Sequence, residues 1–163
     1  MDILEYALQR EQDSETYYRN LAGSCPAGGL QIILTRLAEA EVRHQQVIQR
    51  MKEKTMPGAW ADPFLADVKD ALRQIRDRGG KIDPGMTQIE LYQKAQGFEK
   101  ESWDMYLKAA AEATTAAGKT VLERLAGQEK MHYQILGTII ELVSRPLAGN
   151  WLENAEWYHL EEY

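Results

Sequence analysis

The stretch LTRLAEAEVRHQQVIQRM, residues 34–51, predicts a helix with an unusual buried face. Its apolar residues Leu34, Leu37, Ile48 and Met51 are spaced 3, 11 and 3 positions apart. A stripe that alternates steps of 3 and 4 needs two more members, and these fall on Glu41 and His44. The stripe that should face the core of a helix bundle therefore carries an acid and an imidazole.

The composition of the chain favours a single helical domain. A length of 163 residues is enough for one domain with a core of its own. Hydrophobic residues make up 44% and charged residues 27%, which is typical of a globular protein. Ala, Leu, Glu, Gln, Lys and Arg are plentiful and strand-like alternation is scarce, so the predicted fold class is all-α.

Charge and cysteine content argue against several classes of function. The net charge of −6 disfavours a nucleic-acid partner. The longest apolar stretch, ILGTIIELV, contains Glu141 and is too short to span a bilayer, and no apolar run at the N-terminus indicates a signal peptide. The single cysteine, Cys25, excludes an intramolecular disulfide and a four-thiolate metal site. We therefore expect a cytoplasmic protein with no membrane partner.

Turn residues divide the chain into four long helices and a crossover. The predicted bundle helices cover about 2–22, 30–54, 87–113 and 117–144. The crossover, 55–86, should hold a short helix that begins at Asp62 and Pro63 and ends at glycines 79–80. Two helical hairpins joined by one long connection predict a ferritin-like four-helix bundle over residues 1–145.

The tail, residues 146–163, should form a final amphipathic helix that packs on the bundle or on a partner subunit. We expect a homodimer, because this apolar segment with two tryptophans needs a surface to cover. Glu156 and His159 in the tail have Glu-x-x-His spacing but no matching upstream glutamate, so we interpret them as surface or docking residues. The tryptophans are expected to pack rather than to relay electrons, and they are Trp60, Trp103, Trp151 and Trp157.

Internal repetition relates the two halves of the bundle. Residues 11–51 placed over residues 99–139, a shift of 88 without a gap, give 11 identities in 41 positions. The matched pairs include Glu11 with Glu99, Tyr18 with Tyr106, Glu41 with Glu129 and His44 with His132. Each half therefore carries a glutamate, a tyrosine seven residues later and Glu-x-x-His thirty residues after the first glutamate.

Four ionised carboxylates in one core require a counter-charge. Each would cost several kcal/mol to bury, and together they would repel one another. No lysine or arginine lies on these stripes at the same level, whereas two divalent cations would neutralise the four glutamates. One Glu from each of two helices with Glu-x-x-His from each of the others is the di-iron carboxylate arrangement. The predicted metal ligands are Glu11, Glu41, His44, Glu99, Glu129 and His132.

Other interpretations of these polar residues stay open. The core groups could simply hydrogen-bond one another in a bundle without metal. Tyr18 and Tyr106 are either large core residues with a satisfied hydroxyl or donors to metal-bound carboxylates. Cys25 lies in a predicted turn beside Pro26 and is expected to be inert.

The paired Glu-x6-Tyr and Glu-x-x-His pattern resembles the rubrerythrin branch of the ferritin-like superfamily over nearly the whole chain. The resemblance implies a non-haem site with two iron ions per chain; carboxylate and imidazole ligands also suit manganese, and zinc can occupy such sites. It implies that Glu41 and Glu129 bridge the irons, while Glu11 and Glu99 are terminal ligands and His44 and His132 bind one iron each. It also implies a reaction with hydrogen peroxide or dioxygen, in protection against oxidative stress.

The chain departs from the rubrerythrin pattern in two respects. With one cysteine it lacks the Cys-x-x-Cys pairs of a rubredoxin-like domain, so electrons should come from a separate donor protein such as a rubredoxin. Ser102 stands three residues after Glu99, where rubrerythrins carry an extra carboxylate that exchanges with a histidine. Glu101 is about 200° round the helix from Glu99 and should point away. This argues against the redox-linked exchange and efficient peroxidase turnover.

The leading expectation is an oxidoreductase that reduces hydrogen peroxide or dioxygen at two irons. One alternative is an iron-binding storage protein with ferroxidase activity, which predicts a closed shell and many irons per chain. A second is a peroxide or oxygen sensor that reports through the tail helix. A third is a di-iron hydroxylase of an organic substrate, which needs a cavity.

Overall fold

Four long helices and one shorter helix make up the part of the chain that the computed structural model describes, which is residues 3–25, 29–55, 64–77 and 86–144. The helices are α1 (Ile3–Ser24), α2 (Gly29–Lys52), α3 (Phe64–Asp77), α4 (Met86–Glu112) and α5 (Ala116–Ser144). Within these ranges there is no strand, so the all-α prediction is confirmed. No helix in the described ranges is both long and apolar enough to cross a membrane.

The helices pair as two hairpins. The most extensive contacts join α1 to α2 and α4 to α5, and α1 also contacts α4. The shorter helix, α3, packs on α2. This is the predicted ferritin-like bundle with a helical crossover, and each of the four bundle helices begins and ends within two residues of its predicted bounds. The predicted tail helix lies outside the described residues, as do Asp62, Pro63, glycines 79–80, Trp60, Trp151, Glu156, Trp157 and His159.

The apolar core is divided into two clusters. One cluster lies around Tyr18, Leu37, Tyr92 and Ile135, and the other around Ile48, Tyr106 and Leu125. Each bundle helix contributes to both clusters, and the buried acidic and histidine residues lie between its two contributions in the sequence. The polar groups are therefore enclosed by apolar side chains on both sides along the bundle axis.

Two residues outside this polar region have defined surroundings. Cys25 is buried, and its Sγ lies 3.7 Å from the hydroxyl of Tyr92. Trp103 is partly buried between the ammonium groups of Lys100 and Lys130, which lie 5.0 and 5.6 Å from its ring. The packing role of Trp103 and the inertness of Cys25 stay predictions.

The C-terminus of α2 is a Schellman turn, a common helix ending that favours glycine. The N–H of Lys54 donates to the carbonyl of Met51 at 3.1 Å, and the N–H of Thr55 donates to the carbonyl of Arg50 at 2.9 Å. Lys54 adopts φ of 55°, in the left-handed region. A lysine at this position carries a conformational cost that glycine would not.

Candidate metal centre

The six predicted ligands lie together in one buried layer between the two apolar clusters. We call them the ligand layer: Glu11 of α1, Glu41 and His44 of α2, Glu99 of α4, and Glu129 and His132 of α5. Its four glutamates are 1% exposed and its two histidines 0% exposed. The seven-residue stripes and the internal repeat explain this placement, because each helix presents its polar residues at the same level of the bundle.

The ligand layer contains two overlapping groups that could each hold a metal ion. One group is Glu11, Glu41, His44 and Glu129, and the other is Glu41, Glu99, Glu129 and His132. In each group, one ligand atom per residue can be chosen so that all lie within 4.8 Å of one another. Glu41 and Glu129 belong to both groups, which is the arrangement that two bridging carboxylates require. The role of each residue as a ligand stays a prediction.

Both histidines direct Nδ1 at the carboxylates. His44 Nδ1 lies 2.8 Å from Glu129 Oε1 and 3.1 Å from Glu11 Oε2. His132 Nδ1 lies 3.3 Å from Glu41 Oε1 and 3.4 Å from Glu99 Oε2. The two rings are nearly parallel, with an interplanar angle of 15° and 5.5 Å between centroids. Nδ1 is therefore the ring nitrogen of each histidine that faces the carboxylates.

The second ring nitrogen has different surroundings in the two histidines. His44 Nε2 lies 2.7 Å from Oε1 of Gln128, a residue of α5 that is 8% exposed. His132 Nε2 is buried and has no hydrogen bond among the described residues, and the edge of Phe64 packs against the His132 ring at 4.5 Å between centroids. Neither Gln128 nor Phe64 is among the site residues predicted from the sequence. The signal for Gln128 was a mismatch in the repeat, because the position matching it is Ala40.

Both tyrosines of the repeat donate to glutamates of the ligand layer. The hydroxyl of Tyr18 donates to Glu99 Oε1, and the hydroxyl of Tyr106 donates to Glu11 Oε1. Burial and the adjacent carboxylates raise the pKa of both phenols well above the ordinary value, so the hydroxyls keep their protons. The tyrosines are thus both buried core residues and donors to predicted ligands.

Two carboxyl groups of the ligand layer have raised pKa values in the metal-free protein. Burial, reinforced by the neighbouring Glu41, raises the pKa of Glu11 to about 7. Burial and the charges of Glu41 and Glu11 raise the pKa of Glu129 well above its ordinary value. Four carboxylates this close in a dry interior cannot all ionise without a counter-charge.

The other two carboxyl groups are ionised. Burial and the charge of Glu99 would raise the pKa of Glu41. Polar contacts with Glu11, His132 and His44 outweigh them and lower that pKa to about 2. Burial also opposes ionisation of Glu99, but the charge of His132 and polar contacts bring the Glu99 pKa below its ordinary value.

The histidines are protonated in the metal-free protein. Burial opposes a positive charge on each ring, but the carboxylate of Glu129 raises the pKa of His44 well above its ordinary value. In the same way Glu99 raises the pKa of His132 to about 9. Two imidazolium charges therefore balance two carboxylates, and two divalent cations could replace these charges and the remaining protons.

The donor set is suited to metal binding. Both carboxylate oxygens of Glu41 and Oε1 of Glu129 are buried and lack a well-directed hydrogen bond from the described part of the chain. Buried polar atoms are normally satisfied, and an ion that binds them is one explanation when they are not. Carboxylate and imidazole ligands suit iron and manganese, and zinc also binds them.

A serine on α4 occupies the position where rubrerythrins carry an extra carboxylate, as the sequence indicates. Ser102 is buried beside the ligand layer on α4. The side chain of Glu101 is 67% exposed, and its Oε2 pairs with Arg10 Nη2 at 2.9 Å. The expectation that Glu101 points away from the centre is therefore confirmed, and no carboxylate replaces Ser102 from that position.

Comparison with protein families finds one whose model, described as Rubrerythrin, matches residues 2–140. Comparison with curated proteins and with solved structures finds no match.

Proposed function

The chain belongs to the rubrerythrin family, and from that premise we propose that it is a non-haem di-iron oxidoreductase that reduces hydrogen peroxide or dioxygen. Its electrons come from a separate donor protein such as a rubredoxin. The observation that carries the proposal is the pair of overlapping ligand groups that share Glu41 and Glu129. Sharing of this kind fits two metals bridged by carboxylates rather than two separate sites.

The residues of the ligand layer divide the work of binding. Glu41 and Glu129 would contribute to both metal positions, while Glu11 with His44 and Glu99 with His132 would each complete one position. When bound, a pair of ferrous ions supplies the two electrons that reduce hydrogen peroxide to water. The carboxylates balance the charge of the metals, so the interior needs no other counter-ion.

The two tyrosines orient ligand carboxylates, and the apolar clusters enclose the metal positions. The hydroxyl of Tyr106 donates to Glu11 Oε1, and the hydroxyl of Tyr18 donates to Glu99 Oε1. These hydrogen bonds fix the orientation of the two outer carboxylates. Both phenols are fully buried. Among the described residues the layer is closed by such side chains, which favours a small oxidant over a bulky organic substrate.

The serine at position 102 supports slow rather than fast turnover. A carboxylate there would offer an alternative ligand when the metal changes oxidation state, and the hydroxyl of Ser102 is a much weaker ligand. Glu101 does not supply that carboxylate, because its side chain is largely exposed and paired with Arg10. We therefore propose that the same six ligands serve both oxidation states.

The proposal is tested with protein purified and loaded with Fe²⁺ without oxygen. We expect about two irons per chain, with binding lost in Glu41→Ala and Glu129→Ala and retained in the control Glu123→Ala, whose side chain is exposed. Hydrogen peroxide should then oxidise the pair at about one peroxide per two irons, which balances two electrons and two protons against two waters.

Other results would point elsewhere. Many irons per folded chain, with mineral formation, would favour storage over redox turnover. Absence of stoichiometric metal in a folded protein, with both glutamate variants unchanged, would contradict the proposal and leave a bundle whose polar core serves another purpose.

A further inference from the structure

The internal repeat gives the two halves of the ligand layer nearly identical donors but different support. Each metal position has one histidine, one outer glutamate held by a tyrosine and a share of Glu41 and Glu129. Among the described residues, the two halves differ in the hydrogen bonding of the second ring nitrogen of each histidine. His44 Nε2 is hydrogen-bonded to Gln128, whereas His132 Nε2 is buried without a hydrogen bond among the described residues.

This difference originates in the sequence. Gln128 immediately precedes Glu129 in α5, and a shift of 88 places Ala40, immediately before Glu41, at the matching position in α2. Ala40 is also buried, and its methyl group can accept no hydrogen bond. The His132 ring is instead packed against the edge of Phe64 of α3. The second half of the repeat thus carries an amide acceptor at a position where the first half carries alanine.

The geometry points to Gln128 as a positioning residue that makes the metal position at His44 the tighter of the two. This inference rests on the proposed di-iron function. A histidine that binds a metal through Nδ1 must carry its proton on Nε2. Gln128 Oε1, at 2.7 Å, accepts that N–H and thereby fixes both the tautomer and the orientation of the ring.

At His132 the described residues offer no acceptor to the N–H of the same tautomer. Binding through Nδ1 requires a proton on Nε2, and this nitrogen has no hydrogen-bond partner within the described chain, while Phe64 packs against the ring. Without such a hydrogen bond from the described residues, the orientation of the His132 ring is held less firmly for binding. Metal should therefore fill the His44 position first and leave the His132 position first.

Because outer partners of ligating histidines change metal affinity by about 10-fold to 100-fold, the difference should appear as two separate binding steps. The probe is Co²⁺, titrated into the metal-free full-length protein in the presence of a competing chelator. The wild-type protein should bind one ion about 10-fold to 100-fold more tightly than the second. His132→Ala should retain the tight step, and His44→Ala should lose it.

Gln128→Met is the decisive variant because it keeps the side-chain length and removes the acceptor. We expect the Co²⁺ affinity of its tighter binding step to fall to that of the weaker step. The affinity of the weaker step should be unchanged. Gln128→Glu keeps an acceptor oxygen and should restore the separation. Gln134→Met, on the same helix and partly exposed, is the matched control and should behave as the wild type.

A second measurement does not depend on any variant. With ¹⁵N-labelled histidine and one equivalent of Zn²⁺, NMR should show a metal-bound Nδ1 and a protonated Nε2 for His44 while His132 remains unchanged. Filling of His132 first, equal steps in the wild type, or a Gln128→Met protein with an unaltered tight step would overturn the inference and leave the proposed function intact. A folded wild-type protein that binds no Co²⁺ or Zn²⁺ would overturn both.

Discussion

Tyr18 on α1 donates a hydrogen bond to Glu99 on α4, and Tyr106 on α4 donates one to Glu11 on α1. The two bonds cross between the hairpins, so the outer carboxylate of each metal position is oriented by the opposite half of the repeat. Contacts between α1 and α4 are far fewer than those within each hairpin. The tyrosine–glutamate pairs therefore couple the association of the two hairpins to the geometry of the ligand layer.

Replacement of Tyr18 by Phe should weaken metal binding without unfolding the bundle. The ring still fills the core, but Glu99 loses the donor that orients it. We expect Co²⁺ affinity to fall by about 10-fold, as is usual for groups that hold a ligand. The measurement is a chelator-competition titration monitored by Co²⁺ absorbance.

Tyr17→Phe is the matched control for that experiment. Tyr17 is the preceding residue, and its hydroxyl donates to the carbonyl of Leu91 at 3.0 Å rather than to the ligand layer. It should bind Co²⁺ like the wild type. Equal affinities in the two variants would show that the Tyr18 hydroxyl does not orient a ligand.

Periodicity made most of this architecture predictable. The bundle helices and the level of the polar residues follow from stripes with steps of 3 and 4, and the repeat indicates that the two halves share one site. The same symmetry explains why Glu41 and Glu129 belong to both ligand groups.

The remaining features depend on contacts between helices that no local pattern specifies. Gln128 lies off the seven-residue stripe, and the repeat pairs it with Ala40, so symmetry gave no reason to place it at the site. The contact of Phe64 with His132 depends on how α3 packs on the bundle. The sequence indicated that tyrosine hydroxyls approach carboxylates, but which tyrosine reaches which glutamate follows only from the packing of α1 against α4.

Lys54→Gly should stabilise the protein. Lys54 is exposed and has φ of 55°, which is unfavourable for a side chain with Cβ and neutral for glycine. We expect the free energy of unfolding to rise by about 0.5–1 kcal/mol, partly offset by the greater freedom of glycine in the unfolded chain. Thermal unfolding of metal-free protein measures the change.

Glu53→Gly is the control for the turn at the end of α2. Glu53 directly precedes Lys54 and does not have a positive φ, so glycine there should lower stability. The strain at Lys54 would be refuted if both glycine variants lowered the melting temperature equally.

Metal binding should release protons. In the metal-free protein the raised pKa values of His44, His132 and Glu129 favour their protonated forms, and Glu11, with a pKa of about 7, is partly neutral. Because ligands must give up these protons, two divalent cations should displace about three to four protons at pH 7. Affinity should therefore increase steeply as pH rises toward neutrality.

Calorimetric titration with Zn²⁺ in buffers of different ionisation enthalpy measures that number directly. The variant Glu123→Ala, altered on the exposed face of α5, should release as many protons as the wild type. Release of fewer than about one proton per chain would mean that the ligand layer is already deprotonated, contrary to the charge balance described above.

The metal-free protein should lose stability as pH rises from 6.5 to 9. His132 has a pKa of about 9 in the folded protein and an ordinary value of 6.5, so the native state binds more protons than the unfolded state in this window. His44, whose pKa is also raised, contributes in the same direction. The stabilisation is fully present below pH 6.5 and is lost as the pH rises through 9. His132 alone should lower the free energy of unfolding by about 3 kcal/mol over this range.

Thermal unfolding of metal-free protein across that range should show a melting temperature that falls by about 5–10 °C. Glu41 and Glu99 do not offset the fall, because their lowered pKa values contribute a pH-dependent term only in acid. The zinc-loaded protein is the control: its histidines are deprotonated by the metal, so its melting temperature should not fall over the same range. A melting temperature of the metal-free protein that stays level or rises would mean that the buried imidazoles are neutral, and that the four glutamates are balanced by protons of their own.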